Sequence, residues 1–277
     1  MKSLPLGSVM SETNPLSRPW RTRLATLGNA LLPFGVAAGL LVMLEIVLTI
    51  GAVPSYVLPR PSLIGATIVA NADLLARHAW VTIVEATLGF VVGNLVGIGI
   101  AVVFLYSRRI ERSLFPIAQI IRSIPVVALA PLFLLWFGNG LTPKVMTAVL
   151  ICFFPTLVNT FRGLTSVDRL SLELFHTLAA TPSQVFWKVR WPAAQPYVFS
   201  ALKIASASAI IGALIAEWVG SDQGLGYLVV TSTYEYRVEL LWATICVTSV
   251  IAVVAFELIV IWERYATPWR GNDTTDE

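Results

Sequence analysis

Charged side chains inside long apolar segments are the residues of this sequence whose types and positions could do chemistry. A charge at the centre of a bilayer costs about 2.5–3.5 kcal/mol on insertion scales unless it is paired or hydrated, so such residues are functional candidates. Lys203 can reach the membrane surface from its predicted span, and Glu85 is expected to be either solvated or buried. Glu217 either lines a vestibule or gate or forms an interfacial salt bridge, and Arg122 either pairs or marks a pivot. The full set is Glu45, Glu85, Arg122, Lys203, Glu217 and Glu257.

No catalytic or metal-binding set accompanies these charges. His78 and His176 lie in different regions, and Cys152 and Cys246 both fall in apolar runs without metal-ligand spacing. No G-x-x-x-x-G-K-[ST] phosphate-binding loop occurs, nor a G-x-S-x-G or H-E-x-x-H motif. The chain is therefore expected to have no catalytic residue, metal or cofactor of its own. If ATP drives it, ATP and Mg²⁺ are bound by a separate ATPase.

The composition predicts an all-α polytopic membrane protein. Of the 277 residues, 56% are hydrophobic and 13% are charged, whereas soluble domains carry about 25% charged residues. We expect a disordered cytoplasmic tail over 1–28, a six-helix domain over 29–265 (core about 80–265), and a polar cytoplasmic tail over 266–277. Spans long enough to cross a bilayer are predicted near 31–53, 81–106, 115–137, 145–164, 197–219 and 240–262.

Two further patterns concern how the spans pack. Ser62–Ala76 is predicted to be an amphipathic helix on the outer surface. In the second span, Gly89, Gly93 and Gly97 form a smooth strip on one helix face, which favours close contact with another helix.

Basic residues give the predicted sidedness. Most lie in segments that become cytoplasmic if both termini are inside, as the positive-inside rule requires, and nucleic-acid binding is therefore not indicated. The basic residues assigned to the outer side are Arg60, Arg77, Lys144 and Arg237.

A polar island, residues 173–192, separates two apolar segments on the predicted cytoplasmic side. The pattern predicts a helix over Glu173–Ala180, a corner at Thr181–Pro182, and a second helix over Gln184–Arg190 that Pro192 ends. The island is apolar yet basic, so it is expected at the membrane surface with one face free to dock a partner.

The island resembles the coupling loop of ABC importer permeases, whose signature is E-A-A, three residues, G, nine residues, I-x-L-P. Leu174 and Phe175 replace the two alanines, and Ala179 replaces the glycine. The alanine implies an ordinary helical backbone there, unless the corner has moved to Thr181–Pro182. Signature positions fall on Glu173, Ala179, Val189, Trp191 and Pro192.

A second resemblance covers about residues 59–262. The segments RSIPVVALAPLFLLWFGNG (122–140), FFPTLVNTFRGL (153–164) and SDQGLGYL (221–228), with Lys144, resemble the nitrate/sulfonate/taurine-type permeases of ABC importers. The residues TIVE (82–85) and LGF (88–90) favour the branch for thiamine-precursor pyrimidines, riboflavin and related heterocycles. This family implies a type I importer permease fold with a cytoplasmic coupling helix in a bacterial inner membrane.

The resemblance also implies partners and sites. The partners are two ABC ATPase subunits, a second permease copy in a homodimer, an extracytoplasmic solute-binding protein and the lipid membrane. ATPase coupling is assigned to Glu173, Leu174, Phe175, His176, Thr177, Leu178, Ala179, Ala180, Thr181, Pro182, Val189 and Pro192. The translocation path or gate is assigned to Arg122, Pro125, Pro131, Pro155, Glu217, Gly224 and Gly226.

Alternatives stay open at this point. Each span proline removes a backbone hydrogen bond, which indicates either a static kink or a moving gate. The expected function is the permease subunit of an ATP-driven importer for a small organic nutrient. The alternative is an ion-gradient-driven secondary transporter in which Glu45, Glu85 or Glu217 carries a proton; it predicts transport by the chain alone. A membrane enzyme would need a catalytic set that this sequence lacks.

Overall fold

A computed structural model describes the backbone of residues 19–268 and the side-chain surroundings of residues 35–268. Contacts divide the chain into two units, residues 1–53 and 54–277, where the sequence predicted one six-helix domain. The described part of the first unit is helix α1 (Pro19–Ile50) and a short turn. Helix α1 starts ahead of the predicted first span, so residues 19–28 are helical. The tail predictions for 1–18 and 269–277 lie outside the described residues.

The second unit is helical throughout its described part. Most of its connections are short turns, so successive elements lie next to one another. Its elements are α2 (Pro61–Ala70), α3 (Ala72–Tyr106), α4 (Arg108–Ser123), α5 (Val126–Phe137), α6 (Leu141–Thr165), α7 (Arg169–Thr177), α8 (Pro182–Val185), a π-helical turn (Phe186–Arg190), α9 (Trp191–Gly220), α10 (Leu225–Tyr234) and α11 (Val238–Ala266).

Within the described residues, 4 helices are long and apolar enough to cross a membrane: α3, α6, the continuous helix Pro182–Gly220 and α11. A fifth candidate is the pair α4 and α5, which are bent by 97° relative to each other. The one predicted span that remains, near 31–53, falls on α1, whose described apolar section is Gly35–Ile50. The count of six therefore stays a prediction.

Two predicted elements are divided in the structure. The predicted third span, about 115–137, in which Pro125 and Pro131 are expected to interrupt the helix, is divided at the first of these prolines, because the chain leaves the helix at Ile124 and Pro125 is extended. Proline disfavours a helical conformation in the residue before it, which accounts for the break. The predicted surface helix Ser62–Ala76 is also divided, since α2 ends at Ala70 and α3 begins at Ala72.

The glycine strip of α3 packs against α6, as the sequence predicted. A Cβ atom at Gly93 would lie 2.8 Å from the Val149 carbonyl oxygen, and one at Gly97 would lie 2.8 Å from that of Phe153. Neither approach leaves room for a side chain, so glycine lets the two backbones meet. Helices α3, α6 and α9 thus form the core that positions every side chain described below.

Candidate functional site

The island predicted from the sequence begins with helix α7. Asp168 caps it by accepting a hydrogen bond from the Ser171 N–H at 3.1 Å. The hydrogen bonds from the Ser171 side chain and N–H favour the ionised carboxylate and lower the pKa of Asp168 below its ordinary value. Arg169 and Glu173, one turn apart on the exposed surface, form an ion pair at 2.9 Å.

The corner between α7 and α8 corrects one prediction. Ala179 has a φ of 51°, which is left-handed backbone and not the ordinary helical conformation expected for an alanine. A non-glycine residue there is strained, and glycine adopts this conformation without cost. Ala179 therefore has the conformation suited to a glycine, and it occupies the place of the signature glycine. Thr181 then caps α8 in a reciprocal capping box with Gln184.

Beyond the corner, the second short helix runs without interruption into α9. The prediction that Pro192 ends it is wrong, because the helix runs on through Pro192 as far as Gly220. A π-helical turn, Phe186–Arg190, joins α8 to α9. Arg190 also donates a 2.9 Å hydrogen bond to the Leu164 carbonyl oxygen at the end of α6.

Phe186 anchors the island in the bundle. Its side chain is buried in the cluster formed by α3, α4, α6 and α9, which includes Phe104, Phe154 and Leu164. Its ring also packs edge-on against Trp187 at 5.0 Å. A displacement of the island must therefore move the interior of the bundle with it.

Large apolar side chains are exposed along α7, its corner with α8 and the π-helical turn, and we call this set of residues the island face. It comprises Leu170, Leu174, Leu178 and Trp187, which are 77%, 57%, 67% and 61% exposed. The remaining predicted coupling residues lie close to it in the chain: Glu173, His176, Thr177, Ala179, Thr181 and Pro182 are exposed, and Phe175, Ala180, Val189 and Pro192 are half-buried. The structure thus places the predicted coupling residues on α7, its corner with α8, the first residue of α8, the π-helical turn and the start of α9.

A buried polar cluster lies at the end of the bundle where α3 begins. Lys144 of α6 forms a 2.9 Å ion pair with Glu85 of α3 and donates a 2.7 Å hydrogen bond to the Ser221 hydroxyl. The Glu85 side chain is 2% exposed and that of Lys144 is 10% exposed. Glu85 is therefore buried, which decides between the two alternatives that the sequence left open.

Glu217 of α9 completes the cluster. Its carboxylate accepts a 2.7 Å hydrogen bond from the Thr82 hydroxyl and another from the Gly226 N–H. Thr82 in turn accepts a 2.8 Å hydrogen bond from the Leu225 N–H. The partners of Glu217 are thus a hydroxyl and a backbone N–H, not the basic side chain of an interfacial salt bridge.

The turn before α10 is shaped around these side chains. Gly224 has a φ of 106°, and a Cβ atom there would overlap the Glu217 carboxylate. The Gly224 N–H donates to His78 Nδ1 at 3.1 Å, and the imidazole stacks on Tyr227 with centroids 5.9 Å apart. Glycine is required here both by the backbone conformation and by the close approach of the carboxylate.

The cluster holds two carboxyl groups and one lysine. Lys144 pairs with Glu85, whereas Glu217 is held by the Thr82 hydroxyl and the Gly226 N–H. Within the described residues, Glu85 Oε2 has no hydrogen-bond partner. The cluster therefore ties α3, α6, α9 and α10 together at one end of the bundle.

The other predicted path residues gather at the broken span. Arg122 lies in the last turn of α4, Pro125 precedes α5, and Pro155 lies inside α6. A cavity of about 200 Å³ at this break is lined by both Arg122 and Pro155. Pro131, inside α5, is exposed and not among its lining residues. Arg122 and Pro155 thus lie at the cavity, and Glu217, Gly224 and Gly226 lie in the polar cluster.

Several contacts could not be found from the sequence. Lys203 does not reach the surface alone but forms a 2.7 Å ion pair with Glu263 of α11. The pairing of Lys144 with Glu85 was also missed, because the two residues lie far apart in the chain. The available signal was that Thr82 and Glu85 lie one turn apart in a span, on a single helix face.

These features define a polytopic helical membrane protein with an exposed, structured island between two of its spans. Residues 93–265 match the family described as "Binding-protein-dependent transport system inner membrane component". The chain belongs to this family, as the resemblance in its motifs predicted. It is a permease-type membrane component, and its family accounts for a chain without a nucleotide-binding loop.

Curated relatives agree with this family. The chain is 38% identical to a probable ABC transporter permease protein of Haemophilus influenzae. The 215 aligned residues cover 78% of this chain and 88% of the relative. It is 35% identical to the formylaminopyrimidine transport permease protein ThiX of Halalkalibacterium halodurans, over 78% of this chain and 86% of that one. It is 30% identical to the putative aliphatic sulfonates transport permease protein SsuC of Bacillus subtilis, over 98% and 99%.

Solved structures share the fold. An inward-facing structure of the MetNI methionine ABC transporter aligns with a TM-score of 0.63 at 19% identity, over 71% of this chain and 97% of that chain. An amino acid ABC transporter aligns with a TM-score of 0.60, also at 19% identity, over 72% and 97%. The fold is that of ABC importer permeases.

Proposed function

We propose that this chain is the permease subunit of an ATP-driven importer, with six spans and both termini in the cytoplasm. Two copies would form the translocation path, and each would seat its island face in one of two ATPase subunits. An extracytoplasmic binding protein would deliver the solute. The chain would itself bind no nucleotide, because both ATP and Mg²⁺ belong to the ATPase.

The observation that carries this proposal is the left-handed backbone of Ala179 at the position of the signature glycine. A left-handed backbone at the place of the signature glycine supports a coupling loop here, although the sequence of the island departs from the signature. Exposed apolar residues lie on both sides of Ala179 in the chain, and an apolar surface with charged residues beside it is typical of a protein-binding surface.

Three contacts hold the island rigidly, as an element that transmits a displacement must be held. The capping box at Thr181 fixes the start of α8, Phe186 fixes the π-helical turn in the bundle, and Arg190 ties the turn to the end of α6. When ATP closes the ATPase dimer, the two islands would move together. Because the helix continues from Pro182 to Gly220, this motion would pass directly into a membrane span.

The substrate class follows from the relatives. We propose a small organic nutrient, with a heterocycle such as a thiamine-precursor pyrimidine or riboflavin favoured over a sulfonate, taurine or nitrate. The support is the identity to ThiX, which is 35%, and to the riboflavin transport permease RibX of Chloroflexus aurantiacus, which is 30%.

Co-purification tests the proposal. A tagged chain extracted in mild detergent from its native membrane is expected to retain a separate ATPase. The double variant Leu174→Asp and Leu178→Asp is expected to lose that ATPase at least about tenfold, because removing apolar anchors costs more than about 1.4 kcal/mol at an interface. Tyr236→Asp is the matched control, since Tyr236 is 86% exposed and lies in the turn between α10 and α11.

Coupling is tested separately from assembly. Two glycines inserted beside Pro182, or the charge reversal Glu173→Lys, are expected to leave complex formation measurable but to uncouple ATP hydrolysis from uptake. Normal uptake in both variants, or uptake by the purified chain without any ATPase, would contradict the proposal.

A further inference from the structure

An apolar groove lies where α3, α9 and α11 meet. Its volume is about 220 Å³, and nine of its eleven lining residues are apolar. Each of the three helices contributes an alanine to the lining, Ala86, Ala209 and Ala255. Because these side chains are small, the helices leave between them a space that the side chains do not fill.

The groove has a buried floor and an open side. Its floor is formed by Ser206, Ala209 and Ile210 of α9, which are buried, whereas Thr87 of α3 and Leu258 of α11 are exposed at its rim. All three helices belong to candidate membrane spans, so the open side faces hydrocarbon. An apolar cavity excludes water and takes up hydrocarbon, as an engineered cavity of about 150 Å³ does with benzene.

The groove is elongated along the helices. Its lining residues on α11 run from Ile251 to Ile259, which is about 12 Å at a rise of about 1.5 Å per residue. One turn beyond Ile259 lies Glu263, and one turn before the floor residue Ser206 lies Lys203. A linear acyl chain fits this shape, with its polar end toward the two charged residues.

Glu263 lies where the apolar segment of α11 ends. Residues 240–262 extend over about 34 Å, which matches the hydrocarbon core of a bilayer, about 30 Å thick. The one charged residue among them, Glu257, is about 200° around the helix from Ala255 and therefore faces away from the groove. Trp262 is 54% exposed, as is typical of a residue at the headgroup level.

The charged end of the groove is an ion pair. Lys203 Nζ lies 2.7 Å from Glu263 Oε2, and the two side chains are 24% and 16% exposed. An ammonium has three N–H donors, and among the described residues that of Lys203 makes a single hydrogen bond, to Glu263. The pair is neutral as a whole, so its charges are complementary to a headgroup that carries one negative and one positive charge.

We propose that this groove binds a phospholipid with a zwitterionic, primary-ammonium headgroup, of the phosphatidylethanolamine type. One acyl chain lies in the groove, the phosphate accepts a hydrogen bond from Lys203, and the lipid ammonium donates one to Glu263. A net anionic headgroup brings Glu263 no cation, and a quaternary ammonium has no N–H to donate. The lipid fills the space that the alanines leave and joins α11 to α3 and α9.

Native mass spectrometry tests the site on the unaltered chain. The full chain is purified in detergent, washed free of lipid, and titrated with phosphatidylethanolamine, phosphatidylcholine or phosphatidylglycerol carrying the same acyl chains. The Kd for the first lipid bound is expected to be about tenfold lower for phosphatidylethanolamine, because neither of the other lipids offers Glu263 an ammonium N–H.

Variants separate the groove from the ion pair. Ala255→Phe fills the groove and is expected to raise the Kd of phosphatidylethanolamine at least about tenfold. The matched control is Val253→Phe, which adds the same ring on the opposite side of α11, where Val253 is 61% exposed, and keeps the Kd unchanged. The double variant Lys203→Met and Glu263→Gln leaves no lone buried charge and is expected to bind the three lipids equally.

Two outcomes would overturn the proposal. Equal Kd values for the three lipids on the unaltered chain contradict the headgroup site. Equal Kd values in Ala255→Phe and Val253→Phe contradict the acyl-chain groove, as expected if another helix covers it. If Ala255→Phe does not fold, the comparison of lipids on the unaltered chain and on the Lys203 and Glu263 double variant decides the question.

Discussion

The buried polar cluster and the island face differ in which kind of side chain they bury and which they expose. The cluster places charged groups, Glu85, Lys144 and Glu217, where water is excluded, and satisfies most of them with partners from other helices. The island face leaves large apolar side chains in contact with solvent. Burying the charges costs free energy unless they are paired, and exposing apolar area costs free energy unless a partner covers it.

The difference separates a region whose partners lie within this chain from a region whose apolar side chains are exposed. The cluster is closed by contacts within the chain, so its residues determine whether the bundle is stable. The island face is stable as a helical element through its caps and Phe186, but among the described residues nothing covers its apolar side chains. We therefore expect substitutions in the cluster to change stability and substitutions on the island face to change assembly.

The largest effect is expected from removing the cation of the cluster. Lys144→Met leaves Glu85 buried without its counter-ion and is expected to lower the free energy of unfolding by about 3–5 kcal/mol. Thermal unfolding in detergent, followed by size-exclusion chromatography, measures the change. In the double variant with Glu85→Gln, the loss is expected to be smaller than the sum of the two single losses. Additive losses would contradict the pairing.

A somewhat smaller effect is expected from Gly224→Ala. The substitution adds a Cβ atom that overlaps the Glu217 carboxylate in backbone with a φ of 106°, and we expect a loss of about 2–4 kcal/mol. Gly99→Ala in α3 is the matched control, because a Cβ atom there meets nothing within 4 Å. The control is expected to be neutral or slightly stabilising; equal losses in the two variants would show that the turn is not built around Glu217.

The corner of the island is expected to respond by a smaller amount and in the stabilising direction. Ala179→Gly relieves left-handed strain and is expected to stabilise the corner by about 0.5–1 kcal/mol. Amide hydrogen exchange at Ala180, which donates to the Phe175 carbonyl oxygen, should slow by about two- to fivefold. The control is Ala180→Gly, because Ala180 is not among the residues with positive φ. A glycine at this position is expected to speed exchange in the α7–α8 corner.

The smallest effect concerns the cap of α7. Folding lowers the pKa of Asp168 below its ordinary value of 3.8, so its stabilising contribution is present above that value and is lost as the pH falls through the lowered pKa. Exchange at the Ser171 amide, corrected for its intrinsic pH dependence, is expected to lose protection only below about pH 4. Asp168→Asn keeps a capping acceptor but removes the charge, so its protection should not change with pH over that range.

Parts of the fold and of the site were accessible from the sequence for a physical reason. Hydropathy, glycine spacing and motif order are local properties, and they gave the apolar spans, the α3–α6 contact at Gly93 and Gly97, and the family. The position of the island between two spans was also predicted correctly. Its function as a coupling element, the number of spans and the sidedness remain predictions.

Other features depend on which helices meet, and the sequence does not state that. The burial of Glu85 and the pairing of Lys203 both required the positions of neighbouring helices. Ala179 makes the same point for the backbone: an alanine favours a right-handed helix by itself, and the fixed connection between α7 and α8 holds it in the left-handed region. Local composition determined where this chain is apolar and which family it belongs to. The tertiary structure alone decided which charges are paired, as Lys144 is with Glu85, because electrostatic pairing depends on distance in space and not on distance along the chain.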